Sequence, residues 1–349
     1  MHRFLLLFLA ASAFAADDPQ VTVFRSGDDG YHTYRIPAII ASRKGTLLAF
    51  CEGRREKRSD TGNIDLLLKR STDQGKTWSS TIVVADFGPD VIGNPAPVLD
   101  RKTGTVWLLL TSNLATDPEK AILAGTSKES RRVWVTHSKD DGLTWAKPTE
   151  ITDQVKPKGW SWYATGPGNG IQLKSGRLVI PCDHYRSPTA RYSHIVYSDD
   201  HGATWKVGGI VGDKMNESAI AELPDGSLLF NMRSYAGKNR RAIARSRDGG
   251  ITFEPATLDE ALIEPVCQAS LIRHGKALLF ANPASTRREN MTVRISRDGG
   301  KTWNLLKALH PGPAAYSNLI SLKRGYIGLL YERGEQSAYE TITFARWKP

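Results

Sequence analysis

Ser71-Thr72-Asp73-Gln74-Gly75-Lys76-Thr77-Trp78 is an octet that the chain repeats four more times, starting at Ser138, Ser198, Ser246 and Ser296. Each copy reads Ser-x-Asp-x-Gly-x-Thr followed by Trp or Phe. The starts lie 67, 60, 48 and 50 residues apart, so a supersecondary unit of roughly 50 residues recurs. The Asp of each copy (Asp73, Asp140, Asp200, Asp248, Asp298) can accept hydrogen bonds from nearby backbone N–H groups. The Gly two residues on supplies a turn conformation that a side chain would resist, and the aromatic is expected to pin the turn to its own sheet. The octet therefore reads as a self-stabilised hairpin turn, whose residues have no chemistry to spare.

Outward from the octets, a short alternating strand precedes each one, at 64–68, 133–136, 195–197, 242–244 and 292–295. Upstream of each lies a second kind of strand, rich in Leu, Val, Ile and Phe, at 46–50, 106–110, 177–180, 227–230, 277–280 and 326–330. Turn residues mark every break and no long helical period occurs, so the chain is expected to be all-β. Six strand units with five octets predict a six-bladed β-propeller of four-stranded antiparallel blades. The sixth blade would carry 339–347, and the early strand 21–25 would complete it, closing the ring and removing an exposed edge.

Residues 1–15 read as a secretory signal: Arg3, the apolar run 4–11, then Ala13-Phe14-Ala15 as a small-x-small cleavage site. The apolar run is too short to span a bilayer, so a secreted or periplasmic protein is expected, with 16–349 forming one propeller domain. Cys51, Cys182 and Cys267 each lie in or beside an apolar strand, which favours buried free thiols. A Cys51–Cys182 bridge is the alternative. The net charge of +11 favours acidic ligands. Lys and Arg are dispersed rather than gathered into a stripe, which argues against nucleic acid. No Cys/His cluster has zinc-ligand spacing, and no metal or other cofactor is implied.

Antiparallel blades alternate their connections between two ends. With the octets at one end, the loops after the second strands converge at the other, and these carry Glu52-Gly53-Arg54, Ser59-Asp60, Asp183-His184-Tyr185-Arg186, Asn231-Met232-Arg233, Arg287-Arg288 and Tyr331-Glu332-Arg333. Arg35, Arg233 and Arg288 are candidates from three separate blades. Three arginines facing one point repel one another unless an anion sits among them, and the Arg fork matches a carboxylate.

The octet is the pattern called an Asp box, and Tyr34-Arg35-Ile36-Pro37 looks like the Arg-Ile-Pro motif that precedes the first such box in sialidases. Over residues 21–347 the chain resembles the sialidase (neuraminidase) family, bacterial-type exo-alpha-sialidases with Asp-box repeats. The resemblance implies that Arg35, Arg233 and Arg288 hold the substrate carboxylate, with Arg287 the alternative third member. It places the nucleophile at Tyr316, in Ala315-Tyr316-Ser317-Asn318, and its partner carboxylate at Glu217, with Glu222 the alternative. The acid/base falls on Asp60, the acid that steadies the first arginine on Glu332, and Arg54 supports the set. Tyr31, Trp160, Trp162, Tyr163 and Tyr185 are candidates for lining an N-acetyl or aglycone pocket. Asn169 stands where family members often have His, a departure expected to touch the aglycone side.

The chemistry implied suits a 2-keto sugar acid. A carboxylate nucleophile would approach against the substrate's own charge, whereas a neutral phenol would not; sialidases with a tyrosine nucleophile are known exceptions to the two-carboxylate scheme. A phenol with pKa near 10 needs an adjacent base. The expected activity is retaining hydrolysis of terminal sialic acids. Transfer, intramolecular or to another acceptor, is an alternative, as is a catalytically silent sialoglycan-binding propeller. Expected partners are sialylated glycoproteins, glycolipids or oligosaccharides, met by a monomer without nucleic acid or a membrane span.

Overall fold

The strand Leu47–Arg54 shows how the apolar runs are used, since all eight of its residues are buried in the computed structural model of the protein. Leu48 and Phe50 pack with Leu66, Leu68, Leu108 and Leu110 on one face. Leu47, Ala49 and Cys51 pack with Leu330, Ile342 and Phe344 on the other. Successive side chains leave a strand on opposite faces, so a strand covered on both sides reads as a continuous apolar run. The strand also outlasts that run by four residues, which puts Glu52 and Arg54 on the strand rather than in the loop the sequence suggested.

Residues 20–349 are described; the predicted signal at 1–15 lies outside the described residues. They form an all-β structure of antiparallel meanders, with two short helices, Glu119–Ala124 and Thr152–Val155. Met215–Glu222, Leu228–Ser234, Arg240–Ser246 and Thr257–Ile263 pair in chain order as one four-stranded sheet. Tyr163–Thr165, Ile171–Gln172, Leu178–Tyr185, Arg191–Ser198 and Lys206–Val211 form a five-stranded sheet, and the remaining meanders are joined into two wider sheets. The 18-residue strand Asn304–Ser321 pairs first with Glu289–Ser296 and then with Ile327–Arg333. A single parallel bridge, Ile64 to Val91, joins another two. The first described strand, Gln20–Arg25, pairs with the last, Thr341–Trp347, in one sheet. No helix among the described residues is long and apolar enough to cross a membrane.

Each octet closes on its own Asp. In the first, Oδ1 of Asp73 accepts from the backbone N–H of Lys76 and Thr77 at 3.0 Å and from the Ser71 hydroxyl at 2.8 Å. The Thr77 hydroxyl donates to Oδ2 at 2.7 Å. Gly75 has φ of +85°, and a Cβ there would also come within 3.0 Å of Phe344 in the adjoining meander. The same collision awaits a side chain at Gly142 with Leu48, at Gly202 with Trp107, at Gly250 with Ile195 and at Gly300 with Leu229. The turn is thus also a contact between meanders. This corrects the expectation for the aromatics. Phe253 and Trp303 meet Phe230 and Phe280 of their own sheets. Trp78, Trp145 and Trp205 instead meet Phe344, Phe50 and Trp107 of the preceding meander. The box glycine lets the turn close onto a side chain of the neighbouring meander, and the large ring fills the seam beside it.

Strand register separates the octets from the polar mouth. Leu47 pairs with Ser71, which opens the first octet, while Arg54 at the other end pairs with Ile64. Arg54 and Ile64 both line the cavity described below. Cys51, Cys182 and Cys267 are buried free thiols, so the alternative Cys51–Cys182 bridge is absent.

Candidate active site

Four innermost strands break register at the same level. Thr33–Ala41 shifts between Arg35 and Ala38, Val91–Leu99 between Gly93 and Ala96, Met215–Glu222 between Met215 and Ser218, and Asn304–Ser321 between Ala314 and Ser317. A bulge of this kind re-aims a side chain that the regular pleat would send into a sheet interface. The residues at or beside the shifts include Arg35, Asn94, Glu217 and Tyr316, and all four line one cavity of about 210 Å³. At the first shift Ile36 has φ of +60°, a strained conformation for a β-branched residue. Its N–H donates to Oε1 of Glu332 at 2.9 Å.

Tyr316 and Glu217 meet at the floor. The Tyr316 hydroxyl donates to Oε1 of Glu217 at 2.6 Å. Nη1 of Arg233 donates to Oε2 of the same carboxylate at 2.7 Å and lies 3.3 Å from the phenolic oxygen. The guanidinium carbons of Arg35 and Arg288 lie 5.0 Å and 5.6 Å from the centre of the Tyr316 ring. Three guanidinium groups from three strands or their edges therefore surround one phenol. Burial pushes the Tyr316 hydroxyl well above its ordinary range, Glu217 adds to this, and Arg233 and Arg288 oppose it. The phenol is thus protonated at rest, hydrogen-bonded to a carboxylate, and surrounded by cations that would stabilise a phenoxide.

Glu332 lies beneath this wall, with its side chain fully buried. It accepts from Nε of Arg35 at 3.1 Å, from the Ile36 N–H, and from the Tyr316 N–H at 3.0 Å. One carboxylate therefore fixes the first arginine and both bulged backbones. Burial works against the Arg35 charge, but Glu332, Tyr316, Tyr339 and Asp60 outweigh it and keep the group protonated. Arg288 is steadied by a 2.6 Å hydrogen bond to the Tyr339 hydroxyl.

Asp60 stands at the rim, its side chain 67% exposed, with Oδ1 2.7 Å from Nη2 of Arg54 and 4.0 Å from Nη1 of Arg35. Partial desolvation raises its carboxyl, but Arg54 and then Arg35 prevail and hold it below the usual range. Arg54 is gripped from behind by Glu52 at 2.7 Å. The other oxygen of Glu52 accepts from the Asn94 N–H at 3.0 Å.

Several sequence candidates fall elsewhere. Arg287 points outward, 80% exposed and paired with Glu289 at 3.0 Å, while its neighbour Arg288 lines the cavity. Glu222 accepts from the Lys174 N–H and lines a different cavity. Asn169 also lines that second cavity rather than the one around Tyr316, and accepts from Asn318 at 2.5 Å. Of the five aromatics, Trp162 and Tyr185 line the site. Tyr31 donates to Asp65, Trp160 stacks on His184, and Tyr163 is wholly buried; these three fill space between sheets.

Other lining residues were missed as site groups: Glu52, Asn94, Glu119, Arg131, Asp183 and Asn216. Burial, then Glu217 and Glu119, drives the Asp183 carboxyl well above its ordinary range. Glu119 opens the helix Glu119–Ala124, which follows Pro118 and ends at Gly125 with φ of 69°. Pro before helix-forming residues and Gly after them was the signal available. Among the described residues no group of three or more His, Cys, Asp or Glu is arranged to hold a metal ion.

The chain is similar to known proteins in sequence and in fold. A family described as a BNR repeat-like domain matches residues 45–329. A sialidase from Micromonospora viridifaciens is 35% identical over 348 residues, which cover 92% of this chain and 53% of that protein; the chain spans about half the length of that relative. An exo-alpha-sialidase from Aspergillus fumigatus is 35% identical over 335 residues, covering 87% of this chain and 79% of that protein. Among solved structures, the Hadza microbial sialidase Hz136 matches with a TM-score of 0.85 at 32% identity, over 93% of this chain and 67% of that one.

Proposed function

The chain belongs to the sialidase family, and on that premise we propose that it is a retaining exo-alpha-sialidase, hydrolysing terminal sialic acids through a covalent tyrosyl intermediate. The fold proposed with it is a six-bladed propeller, supported by the successive four-strand meanders and the pairing of first and last described strands. Export through residues 1–15 belongs to the same reading.

One observation carries it: the 2.6 Å bond between Tyr316 and Glu217, ringed by Arg35, Arg233 and Arg288. The three guanidinium groups receive the substrate carboxylate, which fixes the anomeric carbon above the phenol. As the glycosidic bond lengthens, the Tyr316 proton passes to Glu217 and the phenolic oxygen bonds to that carbon. The arginines stabilise both carboxylate and developing phenoxide. Asp60 gives its proton to the departing oxygen, then takes one from the water that releases the sugar with retained configuration. Arg54 favours ionised Asp60 in the empty site. The acid form becomes accessible when the incoming carboxylate neutralises Arg35 and substrate displaces water from the rim.

The test is a sialoside with a chromogenic leaving group, followed by identification of the first-released sugar. Release of the α-anomer of free sialic acid agrees with hydrolysis by retention. An anhydro sugar would mean intramolecular transfer, and release of no sugar would leave only a binding protein.

A further inference from the structure

We propose that the protein has a leaving-group subsite built for a sugar that carries its own negative charge; this rests on the sialidase reading above. The catalytic cavity has a neighbour, a cleft of about 600 Å³ lined on one side by the start of the helix Glu119–Ala124 and on the other by Pro188 and Arg191. Asp60 and Glu119 line both spaces, so the two meet at the residue that protonates the leaving oxygen. A group departing past Asp60 has this cleft in front of it. Its size is that of a pocket for a small ligand rather than a surface dimple.

The lining says what fits. Pro118, Leu123 and Pro188 offer an apolar floor of the kind that accepts the C–H face of a pyranose. Lys120 and Arg191 stand over it. Asp60 is already held by Arg54 at 2.7 Å, whereas neither Lys120 nor Arg191 has a carboxylate within ion-pair distance among the described residues. Arg191 is rigid all the same: its guanidinium lies 4.0 Å from the Tyr235 ring centre and 5.1 Å from that of Tyr185. Nε of Arg191 is buried without a hydrogen-bond partner. Glu119 lines the same cleft and interacts with the Arg191 charge, so with Asp60 offset by Arg54 two cations face one carboxylate; that excess of positive charge, with Arg191 pre-set by stacking, makes the cleft complementary to an anionic sugar. A carboxylate from a second sialic acid and a sulfate ester both meet that description.

The test compares kcat/KM on four substrates: a 4-methylumbelliferyl sialoside, 3′-sialyllactose with its neutral leaving group, an α2,8-linked disialyl-lactose and a sulfated sialyllactose. At low salt the wild type should favour at least one charged leaving group over 3′-sialyllactose, and the preference should fade at high salt. Lys120→Ala, at an exposed position, should lower the favoured charged substrate by about fivefold, as for one partly exposed charge contact. The aryl sialoside should stay within about twofold, and Lys120→Glu should deepen the selective loss. Whether carboxylate or sulfate gives the larger effect identifies the source of the charge. A wild type that prefers 3′-sialyllactose to both substrates with charged leaving groups, or a Lys120→Ala effect equal on all four, overturns the subsite while leaving the sialidase reading intact. An enzyme that cleaves none of the four sinks both.

Discussion

The phenolic oxygen of Tyr316 and Oε1 of Glu217 are 2.6 Å apart, although 99 positions separate the two residues in the chain. The other oxygen of that carboxylate holds Arg233 at 2.7 Å. Glu217 thus accepts the hydrogen bond of the proposed nucleophile and anchors one of the three arginines proposed to hold the substrate carboxylate. Removing a proton from a buried phenol is unfavourable, and Glu217 in its ionised form makes it harder until it takes that proton itself. Deprotonation and attack are therefore one event, and the pair should behave as a unit.

Tyr316→Phe is expected to lower kcat by about 10³-fold or more, while stability changes by only about 1 kcal/mol, since the ring's packing is kept and one hydrogen bond is lost. Glu217→Gln should cost a comparable factor. The double variant should be scarcely worse than either single one. Trapping with a 3-fluoro sialosyl fluoride should add one sugar mass to the peptide containing Tyr316. The same mass on Glu217 or Asp60 would contradict the mechanism.

Asp60 should matter in proportion to how badly the leaving group needs a proton. With Asp60→Asn, 3′-sialyllactose is expected to lose about 10²–10⁴-fold in kcat, as for removal of a general acid. An aryl sialoside with a good leaving group should lose far less in the first chemical step. Arg54→Met removes the cation that holds the Asp60 carboxyl down. The alkaline limb of the kcat/KM profile should then move to higher pH, because the acid form survives further. An unmoved limb would show that another group donates the proton.

The octets made the repeat legible, because each closes on contacts within eight residues, such as those of Asp73 with Ser71 and Thr77. The resemblance reached Arg35, Glu217, Arg233, Tyr316 and Glu332 through short local motifs. Glu52 and Asp183 were seen only as charges near a mouth, since their meaning depends on partners in other strands: the Asn94 N–H for one and the Asn216 side chain for the other. The bulges were not legible either. A register shift depends on how two strands pair, and Ala315-Tyr316 reads like any strand interior. The neighbour-facing placement of Trp78, Trp145 and Trp205 likewise depends on how sheets stack, which no local pattern records.

Adjacent arginines separate the binding wall from the outer surface. Arg288→Ala should raise KM by an order of magnitude or more and also lower kcat, because a carboxylate contact made in the ground state tightens as positive charge develops on the ring. Arg287→Ala removes an exposed pair with Glu289 and should leave both constants within about threefold. Steady-state kinetics on one aryl sialoside decides it. The opposite pattern would move the third arginine to Arg287.

The octets should set the acid limit of the fold. In the first box, partial burial raises the Asp73 carboxyl, but hydrogen bonds from Thr77, Ser71 and Lys76 outweigh it and pull it down to about 2. Asp140, Asp200 and Asp248 are likewise lowered to about 2, and Asp298 is lowered as well. An unfolded Asp titrates near 3.9, so over this range the unfolded chain binds protons that the folded one refuses. The stabilisation is complete above about pH 4 and is lost as pH falls toward 2. Because every box also seats its glycine against the neighbouring meander, losing the turns should loosen the seams between meanders together rather than fray one hairpin. Thermal melts are expected to fall steeply between pH 4 and pH 2. Asp140→Asn should melt lower at pH 6, yet show a shallower decline across that window because one of the titrating groups is gone. Equal slopes for the two proteins would assign acid unfolding to carboxylates outside the boxes, of which Asp60, held down by Arg54, is the first to test.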